Sequence, residues 1–447
     1  MNELEGSVNF FSTLIVRSSV CLLVCVTAWA DAPMPGDSAR AYLAFVNRAC
    51  DRVEADLPKI TRVAEIVAER HIKGGILRLP WNQQGLQDEL WGRSGGLIHI
   101  GTRRPHKHDR SAEEKAQDVA IIGWQRAPVA HKLNELKQLK SEGIYIIGFG
   151  PWALPELAEY VDVCDAWFDS GFGTDDRVVT LADGSRVGRG NMLVDMLYGW
   201  AFTAEYIAAL TRRGKMPPVW QAYLYDEGLA WGNKYFRKVQ FHSDYEVPPQ
   251  TAGSLAKCYL THIRALGDKF GREQMANTNK AVELILAEHR EGRKTFCASM
   301  GHAPWTFVCA DEGKAWGTNA DIHSNVSNQV ANYMRETPDG ALVLRVGYYG
   351  TDAKALEIFS SKRQRVIYIS ADTERAGETS LFTGFVIRAV PDDALVYINM
   401  GIAFGDASIA LEGYPLRILP PSGVMQQVAY QCVNVEVLSR MEPLPAP

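Results

Sequence analysis

The chain has 447 residues, of which 47% are hydrophobic and 22% charged, and a formal net charge of −5. That length suits two or three globular domains with full cores. The mild negative charge and scattered Lys and Arg exclude a general attraction to nucleic acid or to anionic membrane.

The N-terminus reads differently from the rest. Residues 18–30, SSVCLLVCVTAWA, follow Arg17 and end in Ala28-Trp29-Ala30. A basic residue, an apolar run and an A-x-A site predict a secretory signal peptide over residues 1–30, although Glu3 and Glu5 lie upstream of the run. The run is too short to span a membrane comfortably, so no stable insertion is expected after cleavage. Cleavage after Ala30 leaves Cys50, Cys164, Cys258, Cys297, Cys309 and Cys432. None of these makes a CxxC or zinc spacing, so buried thiols are expected.

A helix-like segment runs from Ala41 to about Glu69, with apolar residues recurring at spacings of three and four. Strands follow at residues 74–80, 97–101, 118–124, 144–150 and 166–171. They alternate with helices at residues 84–94, 128–142 and 153–162. This alternation predicts parallel βαβ units.

Tyr223–Thr251 is rich in Tyr, Trp, Asp and Pro and reads as an irregular connector, with a boundary near Pro248-Pro249. The plan then repeats. Helix is expected over Met275–Arg290, strands over residues 294–301, 341–350, 364–371 and 395–401, and helices over residues 305–316 and 351–361, with Thr351 as a candidate cap. A helix over residues 422–440 closes the chain.

The repeat is also visible in detail. Residues 173–203 and 404–434 each run from a Gly-Asp or Gly-Thr-Asp through a short apolar segment, an acidic-Gly turn and a loop into a long apolar helix. Two copies about 230 residues apart imply two similar domains, with boundaries set at residues 40–235 and 255–440 and a connector at residues 236–254. The repeat pairs Asp176 with Asp406, Asn191 with Ser422, and Glu89 with Asp311 and Glu312.

This order of elements resembles the SIS (sugar isomerase) domain in tandem copies. The stretch QQGLQDELWGRSGGLIHI (83–100) is similar to a segment of uncharacterised SIS-domain proteins in which a Glu precedes an Arg-x-Gly-Gly-Leu turn. The matching residues are Glu89, Arg93, Ser94, Gly95, Gly96 and Leu97. RRGKMPPVWQAYLYDEG (212–228) is similar to the stretch after the last SIS helix. The resemblance implies an α/β protein of two three-layer αβα domains with parallel sheets in a pseudo-twofold repeat. It also implies a sugar or sugar-derivative ligand, no organic cofactor and pairing of SIS domains, within one chain or as a homodimer.

The phosphate-holding loop of such domains departs from the family pattern. The first copy, IIGWQRAPVAHK, carries Trp124 and Gln125 and no Ser or Thr; the second, VGYYGTDAK, carries Tyr348, Tyr349 and only Thr351. Aromatic faces suit the apolar faces of neutral sugars better than they suit phosphate.

Two readings stand for Glu89. The resemblance implies a base that moves a proton beside a carbonyl, in aldose–ketose isomerisation or β-elimination. The residues alone fit a structural ion pair with Arg93 at i,i+4. Glu312 and His302, the latter just past a strand end, are further candidates for proton transfer. Arg93, Trp124, Gln125, Asp176, Asn191, Tyr348, Thr351, Asp406 and Ser422 are candidate ligand contacts. Asp176 and Asp406 fit capping as well as sugar binding, and Ser422 fits an N-cap. No metal-ligand spacing is present. A non-catalytic sugar-binding or sensing protein is the alternative to an isomerase or lyase.

Overall fold

Apolar runs of the first half form one five-stranded parallel sheet, built from β1 (Leu77–Arg78), β2 (Ile100–Gly101), β3 (Val119–Gly123), β4 (Tyr145–Gly150) and β5 (Ala166–Asp169). β6 (Arg177–Thr180) and β7 (Arg186–Arg189) make an antiparallel hairpin after it. The second half contributes β8 (Thr295–Ser299), β9 (Gly317–Asn319), β10 (Leu342–Val346), β11 (Thr351–Asp352), β12 (Arg365–Ser370), β13 (Glu378–Thr379), β14 (Phe385–Ile387) and β15 (Ala394–Asn399). Of these, β8, β9, β10, β12 and β15 form a second five-stranded parallel sheet, and β11, β14 and β13 a small antiparallel one. The computed structural model describes residues 34–80, 86–101, 111–123, 131–223, 225, 227–299, 316–319, 333–347, 351–371, 378–379, 385–387, 394–403 and 405–442.

The expected α/β architecture is present, and the two parallel sheets share one topology. Their strand orders are β2-β1-β3-β4-β5 and β9-β8-β10-β12-β15. Ranked along the chain, both read 2-1-3-4-5, the doubly wound order whose direction reverses between the first and third strands. β3 and β10 are buried along their whole length, as a central parallel strand covered on both faces must be. Alternate residues of β3 and β4 divide between layers. Ile121 and Ile147 face the main core, whereas Ala120, Ile122 and Ile146 pack outward with Leu136, Leu157 and Trp167. Ala298, Val343, Ile358, Phe359 and Tyr368 form the corresponding outer cluster of the second sheet.

Each half opens with two consecutive helices. The expected single segment over 41–69 is two helices, Asp37–Ala55 and Leu57–Ile72, divided at Asp56. Pro58 falls in the first turn of the second, where its missing N–H costs nothing. In the second half Ser254–Glu273 forms a helix that the sequence reading did not assign, followed by Met275–Arg290. The connector contains a further helix, Gly228–Tyr235. Thr351 does not cap a helix: it pairs in β11 with Val386 of β14, and the helix begins at Ala353.

Both closing helices, Asn191–Thr211 and Ser422–Arg440, lie in the interior. Every residue from Asn191 to Thr211 is buried, as are Ser422 to Leu438. Asn191–Thr211 is apolar on almost all sides and is covered on all of them, whereas Ser422–Arg440 also buries Gln426, Gln427, Gln431, Asn434 and Glu436. The second helix of each opening pair packs on the closing helix of its own half. The first packs extensively on the closing helix of the other half, Asp37–Ala55 on Ser422–Arg440 and Ser254–Glu273 on Asn191–Thr211. The main core is therefore a single cluster holding Tyr42, Leu193, Tyr259 and Val428 together.

This exchange is completed by two buried carboxylates. Glu436 accepts hydrogen bonds from the backbone N–H of Gly36 (3.0 Å) and of Ala39 (2.9 Å), at the start of the first helix. Glu205 accepts from the backbone N–H of Gly253 (2.7 Å), at the start of Ser254–Glu273, and from the Thr61 hydroxyl (2.7 Å). Gly36 and Gly253 are the N-cap residues, both left-handed (φ 97° and 80°), and neither has a side chain to cap its own helix. The two glutamates stand at the same distance along their closing helices.

Among the described cysteines all are free; Cys50, Cys297 and Cys432 are buried as expected, while Cys258 is exposed and Cys164 half-buried. No helix of the described residues is long and apolar enough to cross a membrane.

His71 gives the fold a pH dependence. Its ring lies between Tyr206 and Phe241, and its Nδ1 is bonded to the Tyr206 hydroxyl. Burial pushes its pKa from 6.5 down to about 3, with His99 adding to the shift. The folded state thus holds a neutral imidazole that the unfolded chain would protonate. The stabilisation is present above pH 6.5 and is lost as pH falls from there towards 3, at about 1.4 kcal/mol per pH unit. Burial lowers His242 and His262 in the same direction. Urea unfolding between pH 7 and 5 is expected to show falling stability, with a shallower slope in a His71→Gln variant. An unchanged slope in that variant contradicts the assignment.

Candidate functional site

Glu89 ends up against the other half of the molecule. It sits on the short helix Leu86–Leu90, and Arg93 follows it at i,i+4 after Gly92 (φ 70°) turns the chain. The two form an ion pair. The Trp200 indole N–H, from the first closing helix, donates to Glu89 Oε1 at 2.8 Å. Arg93 Nη1 donates to Ser422 Oγ (3.2 Å) at the start of the second closing helix. Ser422 Oγ in turn donates to Asp406 Oδ2 (2.7 Å), and the Ser422 backbone N–H donates to Asp406 Oδ1 (3.1 Å). Ser94 Oγ donates to the Gly405 carbonyl (2.6 Å), and the Leu419 N–H to the Gly95 carbonyl (3.0 Å).

Four expected site residues, Glu89, Arg93, Asp406 and Ser422, are thereby brought into one network across the halves. Gly423 lets the carboxylate approach the helix start. A Cβ at that position would lie 2.0 Å from Glu89 Oε2, so only glycine fits. The helix N-terminus carries partial positive charge, which favours the two acids gathered there.

The network is closed to solvent: Glu89 is 0% exposed, Arg93 2%, Asp406 1% and Ser422 1%. Burial raises the Glu89 pKa, Arg93 and the Trp200 hydrogen bond pull it back, and Asp406 raises it further. A carboxylate of raised proton affinity is what a base working near neutral pH needs. A base must also touch its substrate, and here both carboxylate oxygens are engaged by protein groups.

Asp176 and Asn191 repeat part of this arrangement at the other closing helix. Asp176 Oδ1 accepts from Arg189 Nη1 (2.9 Å), and Oδ2 accepts from the Asn191 backbone N–H at 3.4 Å. In both copies the acid accepts from the backbone N–H of the first helical residue, Asn191 or Ser422; the N-cap positions are Gly190 and Pro421, so Ser422 is the first residue of the helix and not its N-cap. One turn further on, Asp195 is fully buried with both carboxylate oxygens unpaired. Burial, reinforced by Asp169 and Asp176, raises its pKa well above the usual carboxylate value.

Glu312, His302, Trp124, Gln125 and Tyr348 lie outside the described residues, as does the side chain of Thr351. Among the described residues no group of three or more His, Cys, Asp or Glu is placed to hold a metal ion. Sequence reasoning missed Trp200, Gly423, Glu205 and Glu436. Aligning the closing helices would have paired Glu205 with Glu436; the indole contact of Trp200 leaves no sequence signal.

No family model matches the chain, and no curated protein does. Solved structures are similar over most of its length. A candidate sugar-binding protein from Salmonella typhimurium LT2 shares 10% identity with a TM-score of 0.47, covering 90% of this chain and 99% of its own. A candidate phosphosugar isomerase from Clostridium difficile 630 shares 8% (TM-score 0.45; 90% and 93% covered). The C-terminal domain of glucosamine-fructose-6-phosphate aminotransferase from Francisella tularensis shares 10% (TM-score 0.44; 88% and 96% covered). The α/β class with two parallel sheets stands on the strand pairing itself.

Removing Arg93 would leave Glu89 and Asp406 as buried acids without their cation. Arg93→Ala is expected to lower unfolding stability by about 3–5 kcal/mol in urea titrations. Glu89→Gln keeps the shape and an acceptor for Trp200, and is expected to cost distinctly less. An Arg93→Ala loss below about 1 kcal/mol would mean that the ion pair does not hold the network.

Proposed function

We propose that the chain is a sugar-binding protein of SIS type that takes a sugar or sugar derivative at the C-terminal ends of its parallel strands. Open α/β sheets receive ligands there, at the point where strand order reverses. That point occurs twice here, between β1 and β3 and between β8 and β10. The sugar itself is inferred from the Glu89–Leu97 motif and its SIS resemblance. The aromatic residues in the two phosphate-loop positions favour a neutral sugar over a phosphorylated one.

The observation that carries binding over catalysis is the closure of Glu89. Its oxygens are held by Arg93 and Trp200 and covered by Gly423, so its role in this arrangement is to join the halves. The second reading, an isomerase or lyase with Glu89 as base, is favoured by the raised proton affinity of that carboxyl. It requires the network to open when substrate binds. We also propose residues 1–30 as an export signal; N-terminal sequencing of the mature protein should find Asp31 first, and an intact Met1 would refute it.

The two readings separate in one experiment. The full chain is incubated with aldoses and ketoses in deuterated water, and binding is followed by calorimetry. Binding without deuterium exchange beside the carbonyl is expected. Exchange that a Glu89→Gln variant abolishes would establish the isomerase or lyase reading instead, and failure to bind any sugar would overturn both.

A further inference from the structure

The tips of β4 and β5 carry an exposed aromatic ring on an unusually well-fixed turn. Trp152, two residues beyond β4, is 55% exposed. Its backbone is nevertheless held, because its N–H donates to Asp169 Oδ1 (2.9 Å) at the end of β5. The same oxygen accepts from the Gly171 N–H at 2.9 Å. Asp169 Oδ2 accepts from Arg52 Nη2 (2.9 Å), and the Asp169 carbonyl from Arg52 Nε (3.0 Å). Gly171 is left-handed (φ 84°), and a Cβ there would lie 2.5 Å from the Arg52 guanidinium carbon. The guanidinium therefore lies directly against the turn. Arg52 and Asp169 remain partly open to water, with side chains 41% and 36% exposed.

The second half shows how much of this the fold needs. Asn399 ends β15 as Asp169 ends β5, and its Oδ1 accepts from the Gly401 N–H at 2.7 Å. Gly401 is again left-handed (φ 71°). Lys269, which stands as far beyond Gly253 as Arg52 does beyond Gly36, packs its stem against Gly401, 3.5 Å from a Cβ there. Its ammonium pairs with Glu273 instead. A neutral Asn thus suffices to hold the Gly401 N–H, and the Asp169 charge and the planar Arg52 fork are additional in the first half.

We propose that Trp152, Asp169 and Arg52 form a binding site for a neutral saccharide, particular to the first half. The indole face would cover the C–H face of a pyranose. The Asp169 carboxylate, tied to the Trp152 backbone, and the Arg52 guanidinium would accept from and donate to ring hydroxyls, with Arg52 presenting several donors in one plane. The site lies at strand C-termini, at the β4–β5 edge of the sheet and apart from the β1/β3 reversal. Because the turn is already fixed, little ordering cost is incurred on binding. This inference rests on the sugar-binding reading and names the ligand class and the residues that hold it.

The test is calorimetric titration of the full chain with neutral mono- and disaccharides and with their phosphates. Wild type is expected to bind a neutral sugar. Trp152→Ala should weaken that binding about 10-fold or more. Asp169→Asn, which keeps the turn as Asn399 does, should also weaken binding while leaving the thermal midpoint unchanged. If wild type binds a neutral sugar and Trp152→Ala binds it equally well, the site is wrong and the sugar-binding reading survives. Binding of sugar phosphates alone overturns the neutral-saccharide assignment. Absence of any sugar binding removes this site together with the broader reading.

Discussion

The structure depends on carboxylates carried by one half that cap helices of the other. Gly36 and Gly253 start helices with no side chain of their own to satisfy the first N–H groups. Glu436 and Glu205 supply the acceptors from the interior. A buried carboxylate is costly unless hydrogen-bonded, and a helix start leaves backbone N–H groups that need acceptors. Each solves the other's problem, and the solution is available only when both halves are in place. It accounts for the fully buried closing helices and for a main core that does not divide between the sheets.

The Glu89 network applies the same logic in a second place. Here the acids gather at the start of the second closing helix, and Arg93 supplies the cation between them. The result looks like catalytic equipment when read residue by residue: an acid of raised pKa, an arginine, a serine and a helix N-terminus. Its enclosure also suits a structural part, since Arg93, Ser422 and Trp200 tie Glu89 to both closing helices. The open, charged turn of Trp152, Asp169 and Arg52 has the opposite character, with fixed backbone and accessible side chains.

Much of the architecture was legible because parallel strands buried on both faces leave continuous apolar runs, such as VAIIG and LVLRV. The closing helix over 422–440 was legible for a related reason, being a long apolar segment after a turn-rich loop. The helix over Ser254–Glu273 was missed although its apolar positions recur as in Asp37–Ala55. The break at Asp56 is local, and Pro58 announced it. The pairing of Glu89 with Arg93 followed from spacing, but the convergence of Asp406 and Ser422 on that pair is tertiary. The repeat aligned Asp176 with Asp406, and each accepts from the first backbone N–H of its closing helix. Glu205 and Glu436 were hidden because a charged residue in an apolar helix has no partner visible in its own segment.

The two halves fold as one unit because each caps the other. Native-state hydrogen exchange of the Gly36, Ala39 and Gly253 amides tests this directly. All three should exchange only through global unfolding, with one shared free energy that matches urea denaturation. Exchange of the Gly253 amide by a separate, lower-energy opening while Gly36 and Ala39 stay protected, or the reverse, would contradict it.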